Sequence, residues 1–158
     1  YKEISKYIQE KLAEYDSYIE LDDSAKSYIR FKDKRWDCDE QSRGNGWTTN
    51  KNVVLYEFQN WNSGLFLKLY IGPSSNSDFR NKLFDLATEN KENRFSAWKK
   101  LNAKWNQIWK KSFISKSDIN SKNIEELKEI IDKGIEKFFT NDNDFDKNNN
   151  ILSEVMSK

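Results

Sequence analysis

The apolar positions near the start of the chain follow a helical pattern. They recur at intervals of three and four residues, which predicts an amphipathic helix carrying Ile4, Tyr7, Ile8, Leu12 and Tyr15. The polar run Asp22-Asp23-Ser24 predicts a cap or an interruption before a short strand over 27–32. Residues 33–51 are charged and rich in turn-forming residues, so we expect a long loop or hairpin connection there.

The strongest strand signals lie in the middle of the chain, over 53–58 and 65–71, which are rich in β-branched and aromatic residues. The connection between them contains Asn and Gly, so the pair should form an antiparallel hairpin. Alternation along the second strand predicts one face toward the core, consisting of Leu65, Leu67, Leu69 and Ile71. The other face, consisting of Phe66, Lys68 and Tyr70, should be half exposed.

Helical patterns dominate after Gly72-Pro73, which ends the second strand. Asn76 or Ser77 is expected to cap a helix that holds Phe79, Leu83, Phe84 and Leu86. A second helix is predicted over 94–112, with an apolar arc of about 140° formed by Phe95, Trp98, Leu101, Trp105, Ile108 and Trp109. A third begins at Ser121 or Asn123, and a short last helix begins at Ile151 after an Asn/Asp run over 141–150.

These elements predict an α+β fold, with a small antiparallel sheet centred on the 53–71 hairpin and packed against three or four helices. No repeat and no Pro- or Ser-rich linker divides the chain, so we expect one domain over 1–158. The chain starts with Tyr1 rather than Met, and we therefore expect an excerpt or a processed product. No apolar run approaches 18 residues and no signal peptide is recognisable, which predicts no membrane partner.

The amino-acid composition excludes more kinds of catalytic and metal site than the net charge does. Lys+Arg 27 against Asp+Glu 26 leaves a net charge of only +1. The chain has no histidine, which excludes His-based acid–base catalysis, Ser-His and Cys-His nucleophiles and His-containing zinc sites. With Cys38 alone, neither an internal disulfide nor a thiolate zinc cluster is available within the chain, and a reducing, cytoplasmic location is expected. We predict no catalytic residue, no metal ligand and no cofactor for this segment.

The candidate binding residues are basic. On the predicted 94–112 helix, five lysines fall opposite the apolar arc: Lys99, Lys100, Lys104, Lys110 and Lys111. The simpler interpretation is a solvated lysine face over a core-facing aromatic stripe. The functional interpretation is a face that follows a phosphate backbone, since unopposed ammonium groups attract a polyanion. Arg80 is a sixth candidate, because it lies in the first turn of a helix whose N-terminal amides could hold an anion; an ordinary strand-to-helix turn is the simpler alternative.

Two acidic features match metal-site patterns only in part. The run over 142–146 starts like a calcium loop, but Lys147 stands where the turn needs glycine, so an acidic loop or a helix cap is the better interpretation. Glu57 is the one acid in the two central strands, and nuclease strands use Glu-x-Lys to hold Mg²⁺. Position 59 is Gln59 rather than lysine, so we expect Glu57 to form an exposed cross-strand pair with Lys68.

Several segments in this order resemble the C-terminal region of a broad bacterial group in the PD-(D/E)XK nuclease superfamily, proteins often found beside restriction or phage-defence genes. The segments are Tyr28-Ile29-Arg30-Phe31 with Trp36, Leu55-Tyr56-Glu57-Phe58, Leu67-Lys68-Leu69-Tyr70-Ile71-Gly72-Pro73, Arg80-Asn81-Lys82-Leu83-Phe84 and Lys104-Trp105-Asn106-Gln107-Ile108. In such proteins the Mg²⁺-dependent nuclease core precedes this region. The resemblance therefore implies an appended domain and carries over no catalytic residue.

Three functions follow as hypotheses. The first is a non-catalytic accessory domain of a nuclease-like protein that contacts DNA or RNA backbone through the six basic residues. The second is a protein-interaction or oligomerisation domain that uses Phe66 and Tyr70 on the exposed side of the sheet. The third, and the least favoured, is a stand-alone metal-dependent nuclease that uses Glu57.

Overall fold

The computed structural model describes residues 2–45, 48–96 and 100–156. The elements follow in the order α1 (Lys2–Ala13), β1 (Ile19–Ser24), β2 (Tyr28–Asp33), β3 (Val54–Trp61), β4 (Gly64–Ile71), α2 (Ser77–Glu89), β5 (Asn106–Ser115), α3 (Lys116–Ser121), α4 (Ile124–Phe139) and α5 (Asp144–Met156). The strands form one antiparallel sheet in the order β1-β2-β3-β4-β5, so each strand lies beside its neighbour in sequence. The predicted α+β class is confirmed.

The β3–β4 hairpin is the centre of the sheet, as predicted. Its register runs from Val54 opposite Ile71 to Trp61 opposite Gly64, at a two-residue turn. Gly64 has φ +139°, and a Cβ there would lie 2.4 Å from the carbonyl oxygen of Ile114 on β5. Glycine is therefore required both by the backbone conformation and by the close approach of the neighbouring strand.

One side of the sheet carries the main hydrophobic core. The four residues predicted to face the core from β4 are at most 1% exposed, which confirms that part of the pattern. At the centre, the ring of Tyr56 stacks at 5.0 Å on Phe31 and at 5.5 Å on Trp36, and meets the edge of Phe138 at 5.3 Å. Side chains of α1, α2, α4 and α5 join the same cluster. We call this side the covered face.

The prediction of a helix over 94–112 is wrong. A 3-10 turn at Lys91–Asn93 comes just before this part of the chain, residues 97–99 lie outside the described residues, and residues 106–112 belong to β5, which pairs with β4 along its length. Two bulges in β5 break the alternation of apolar and polar residues, so no period of two is visible in the sequence. The backbone N–H and C=O groups on the edge of β4 that faces away from β3 need hydrogen-bond partners, and β5 supplies them. The helical spacing of apolar residues within 94–112 carries no information about this pairing.

Two acidic segments also differ from expectation. Asp22 and Asp23 lie within β1, at the edge of the sheet, where charged residues are common because they discourage further strand pairing. The last helix begins at Asp144 rather than Ile151, and Asn143 caps it by accepting a hydrogen bond from the Asp146 amide at 2.7 Å. The interpretation of the acidic run over 142–146 as a helix cap is thus confirmed. The predicted caps Asn76 and Asn123 both accept amide hydrogen bonds at the starts of α2 and α4.

The last helix is attached to the sheet through polar contacts as well as the core. Arg35 pairs with Asp33 at 2.8 Å and with Asp146 at 2.9 Å, and the Asn148 amide donates to the Tyr56 hydroxyl at 3.0 Å. None of the helices in the described ranges is long and apolar enough to cross a bilayer.

Candidate binding face of the sheet

The side of the sheet opposite the helices carries charged and aromatic residues, and we call it the open face. Strand alternation and register place one charged row across four strands, with Arg30 opposite Glu57, Glu57 opposite Lys68, and Lys68 opposite Lys110. The order of charges along this row is cation, anion, cation, cation. Aromatic residues flank the row on β2, β3 and β4, where Tyr28, Trp61, Phe66 and Tyr70 lie on the same face, and Trp105 immediately precedes β5.

A cavity of about 870 Å³ opens on this face. Its floor contains Arg30, Glu57 and Lys68 of the charged row. One wall is the segment 102–105, which folds against the sheet so that the rings of Trp105 and Tyr70 form a T-shaped contact at 5.2 Å. Trp61 and Trp105 border the cavity and are 47% and 51% exposed. Together they offer flat aromatic surface to a ligand that enters the cavity.

The floor of the cavity is a connected hydrogen-bond network. The Glu57 carboxylate accepts from Arg30 Nε at 2.7 Å and from Gln59 Nε2 at 2.6 Å, and Gln59 Nε2 also donates to the Tyr70 hydroxyl at 2.7 Å. Because a carboxylate only accepts, Glu57 fixes the orientation of the Gln59 amide. Burial raises the pKa of Tyr70 to about 12, so its hydroxyl stays protonated at neutral pH. The network therefore holds the floor in one arrangement.

The same network leaves one acceptor unused. Gln59 is 4% exposed, and its Oε1 has no hydrogen-bond partner among the described residues. A buried carbonyl oxygen without a partner is costly, and Gln59 Oε1 is therefore an acceptor that a donor group on a ligand could satisfy. Glu57 Oε1 and Oε2 each accept one hydrogen bond within the network, and a carboxylate oxygen can accept a second.

The cations on and beside the cavity outnumber the acids. Lys68 Nζ lies 5.3 Å from the centroid of the Trp61 ring, Lys110 Nζ lies 4.5 Å from that of Phe66, and Lys104 is exposed on the wall. Burial, followed by repulsion from Lys110, lowers the pKa of Lys68. Within residues 2–45, 48–96 and 100–156, none of these three lysines forms an ion pair. Among the described residues of this row and wall, these three lysines and Arg30 carry four positive charges against the one negative charge of Glu57. The net positive charge should attract anions to this face.

The structure separates the six basic residues predicted from sequence. Lys104 and Lys110 lie on the open face, and Lys100 is exposed in the segment before Lys104. Lys111 lies on the covered side, where it pairs with Asp144 at 3.3 Å. Lys99 lies outside the described residues. The expectation that the lysines form one helical row is wrong, because the segment that carries Lys110 and Lys111 is a strand whose side chains alternate between faces.

Arg80 is also placed differently from the prediction. It is 5% exposed and donates from Nε to the carbonyl of Gly72 at 2.8 Å and from Nη2 to the carbonyl of Lys104 at 3.2 Å. Burial lowers its pKa. These hydrogen bonds to backbone carbonyls hold the 102–105 wall against the end of β4 and leave little of the Arg80 side chain exposed to an anion.

Two further expectations are corrected on this face. Glu57 lies directly opposite Lys68 as predicted, but it is 6% exposed and its ion pair is with Arg30. Tyr70 is 3% exposed, so it is not available as a contact surface for a partner protein. Sequence reasoning missed Arg30, Gln59 and Trp61 as site residues. Their alternation on β2 and β3 was visible, but only the pairing of the strands showed that they share one cavity.

Within the described ranges, no three Cys, Asp or Glu side chains converge on a point where a metal ion could bind. A scan against protein-family models and searches of curated proteins and of solved structures found no match to this chain.

Proposed function

We propose that this chain is a nucleic-acid-binding module and that the open face binds a single strand. The observation that carries the proposal is a cavity of about 870 Å³ lined by Lys68, Lys104 and two exposed tryptophans, with Lys110 beside Lys68 on the same face. None of these three lysines forms an ion pair with another described residue. Ammonium groups neutralise phosphates, and indole rings stack on bases. A site that combines the two matches a ligand with alternating anionic and aromatic parts.

The arrangement favours a single strand over a duplex. Trp61 and Trp105 can stack only on bases whose faces are free, and in a duplex those faces are covered by the neighbouring base pairs. The floor adds a hydrogen-bonding group suited to base edges, since Gln59 Oε1 is an acceptor without a partner among the described residues and can accept from an N–H donor. Arg30 contributes positive charge beside them and stacks at 4.3 Å on Tyr28.

The proposal keeps the accessory role implied by the resemblance to nuclease-like proteins and moves the contact from a helix to the sheet. Binding needs none of the groups that hydrolysis would require. A non-catalytic module that holds a strand is the function consistent with a face built from lysine, arginine and tryptophan around one carboxylate that is already paired with Arg30.

Fluorescence anisotropy with labelled single-stranded DNA and RNA of about 20 nucleotides tests the proposal. The log of the affinity should fall with the log of salt concentration, with a slope of roughly −0.7 for each phosphate neutralised. The double variant Lys68→Glu/Lys104→Glu should lose at least about tenfold in affinity. The matched control, Lys133→Glu/Lys137→Glu, makes the same charge change at exposed positions on α4 and should stay within about twofold of wild type.

Two outcomes would overturn the proposal. The first is no binding of either oligonucleotide at low salt. The second is an equal loss in both double variants, since that would show attraction to overall charge rather than to the open face. Circular dichroism of each variant establishes that the fold is retained.

A further inference from the structure

The cavity on the open face is the first of three that adjoin one another. It shares Ser27 and Trp61 with a second cavity of about 550 Å³ at the tip of the β3–β4 hairpin. The second cavity shares Lys26 with a third, of about 530 Å³, which is lined by Lys2, Lys6 and other residues of α1. The three therefore form a continuous path from the sheet, past Trp61, to the first helix.

The types of residue that line the path change along its length. The first cavity contains a carboxylate, aromatic rings and amides, whereas among the described residues that line the second and third cavities there is no acid. Lys2, Lys6 and Lys26 are exposed, and no ion pair within the described ranges involves them. The end near α1 is thus cationic and has no aromatic residue beyond Trp61 among its described lining residues.

We infer that the binding site is a track, with a base-holding end over the sheet and a phosphate-holding end formed by Lys6 and Lys26. This inference rests on the proposed function and adds to it a direction and a minimum length. Trp61 stands at the boundary, since it lines both the first and the second cavity. A strand stacked on Trp61 would have to pass the hairpin tip, and its next phosphates would then meet Lys26 and Lys6.

A length series tests the track. Affinities of the wild-type chain for oligonucleotides of about 2 to about 16 residues should rise with length and then level off once the strand reaches α1, because sites of this kind cover roughly 4 to 16 nucleotides. The variant Lys6→Glu/Lys26→Glu should bind the longest oligonucleotide roughly tenfold more weakly and the shortest within about twofold of wild type. Lys133→Glu/Lys137→Glu is the matched control and should follow wild type at every length.

The failures of the two proposals are distinguishable. If affinity is already maximal for the shortest strand and Lys6→Glu/Lys26→Glu changes nothing, the track is wrong while binding at the open face stands. If that variant weakens short and long strands equally, the track is also wrong, because the effect does not depend on reaching α1. If no strand of any length binds, the proposed function itself fails. The milder Lys6→Ala/Lys26→Ala pair repeats the test should charge reversal disturb the fold.

Discussion

The two faces of the sheet are formed by the same strands and differ in exposure, charge and residue type. On β2 and β3, Phe31, Tyr56 and Phe58 are at most 1% exposed and join the aromatic cluster under the helices. The residues between them on the same strands, Arg30 and Glu57, form a charged pair at the floor of a cavity. The covered face supplies the apolar burial that drives folding, while the open face keeps charge and tryptophan surface in contact with water.

Alternate residues of one strand therefore serve different properties: those on the covered face contribute to stability, and those on the open face line the proposed binding site. Substitutions one position apart should therefore affect separate properties. The predictions below test that separation, in order of decreasing effect.

Truncation on the covered face should have the largest effect. Phe31→Ala removes a ring that contacts Tyr56, Phe58 and Phe139, and should lower the free energy of unfolding by about 3–5 kcal/mol in urea denaturation. On the open face, Trp61→Ala should lower it by less than about 1 kcal/mol, because the ring is half exposed. Similar losses in the two variants would contradict the assignment of the core to one face.

Truncation of the exposed tryptophans should affect binding instead. Trp61→Ala and Trp105→Ala should each weaken single-strand binding by about 1–3 kcal/mol, roughly 5- to 150-fold, because each removes a stacking surface. Tyr18→Ala is the control, since Tyr18 is 59% exposed but lines a cavity with Phe139 and Phe145 on the other side of the molecule. Anisotropy titrations measure all three. An equal loss in Tyr18→Ala would show that the tryptophans do not define the site.

Neutralising the carboxylate on the open face should move stability and affinity in opposite directions. Glu57→Gln removes the ion pair between Glu57 and Arg30 and should cost about 1–3 kcal/mol of unfolding free energy. The same change removes the acid from the cavity floor and should raise affinity for a polyanion roughly twofold to fivefold, since a unit charge about 8 Å away contributes roughly 0.5–1 kcal/mol. Glu129→Gln, at an exposed position of α4, is the control and should change neither. A fall in affinity in Glu57→Gln would instead assign Glu57 a direct contact with the ligand.

The smallest expected effect is a pH dependence. Burial and Lys110 lower the pKa of Lys68, so this lysine loses its charge at a lower pH than an ordinary lysine does. As pH rises from about 8 to about 10, wild-type affinity should fall roughly twofold to threefold below that of Lys68→Arg, which stays charged. The measurement is an anisotropy titration of both proteins at each pH and constant ionic strength. Parallel curves would show that Lys68 does not face the bound phosphates.

The fold could be predicted where a local signal agreed with the tertiary environment. The hairpin of β3 and β4, the core face of β4 and the caps Asn76 and Asn123 were all readable, because turn residues, strict alternation and side-chain caps act over a few residues. The strand β5 could not be predicted, because its two bulges hide the alternation and because the tryptophans at 98, 105 and 109 recur in the sequence at helical spacing.

The same contrast holds for the candidate site. Composition by itself ruled out histidine chemistry and an internal disulfide, and the sequence pattern pointed to lysines and Arg80 as the residues that could bind a ligand. The same pattern assigned the tryptophans to the core, whereas Trp105 is 51% exposed. Which lysines act together was decided by pairing between strands: Lys110 is brought opposite Lys68 on the open face, and Lys111, its neighbour in sequence, is turned to Asp144 on the other side. Periodicity is a local property and is written in the order of residues, whereas a shared cavity depends on register between segments far apart in the chain, which only the folded sheet sets.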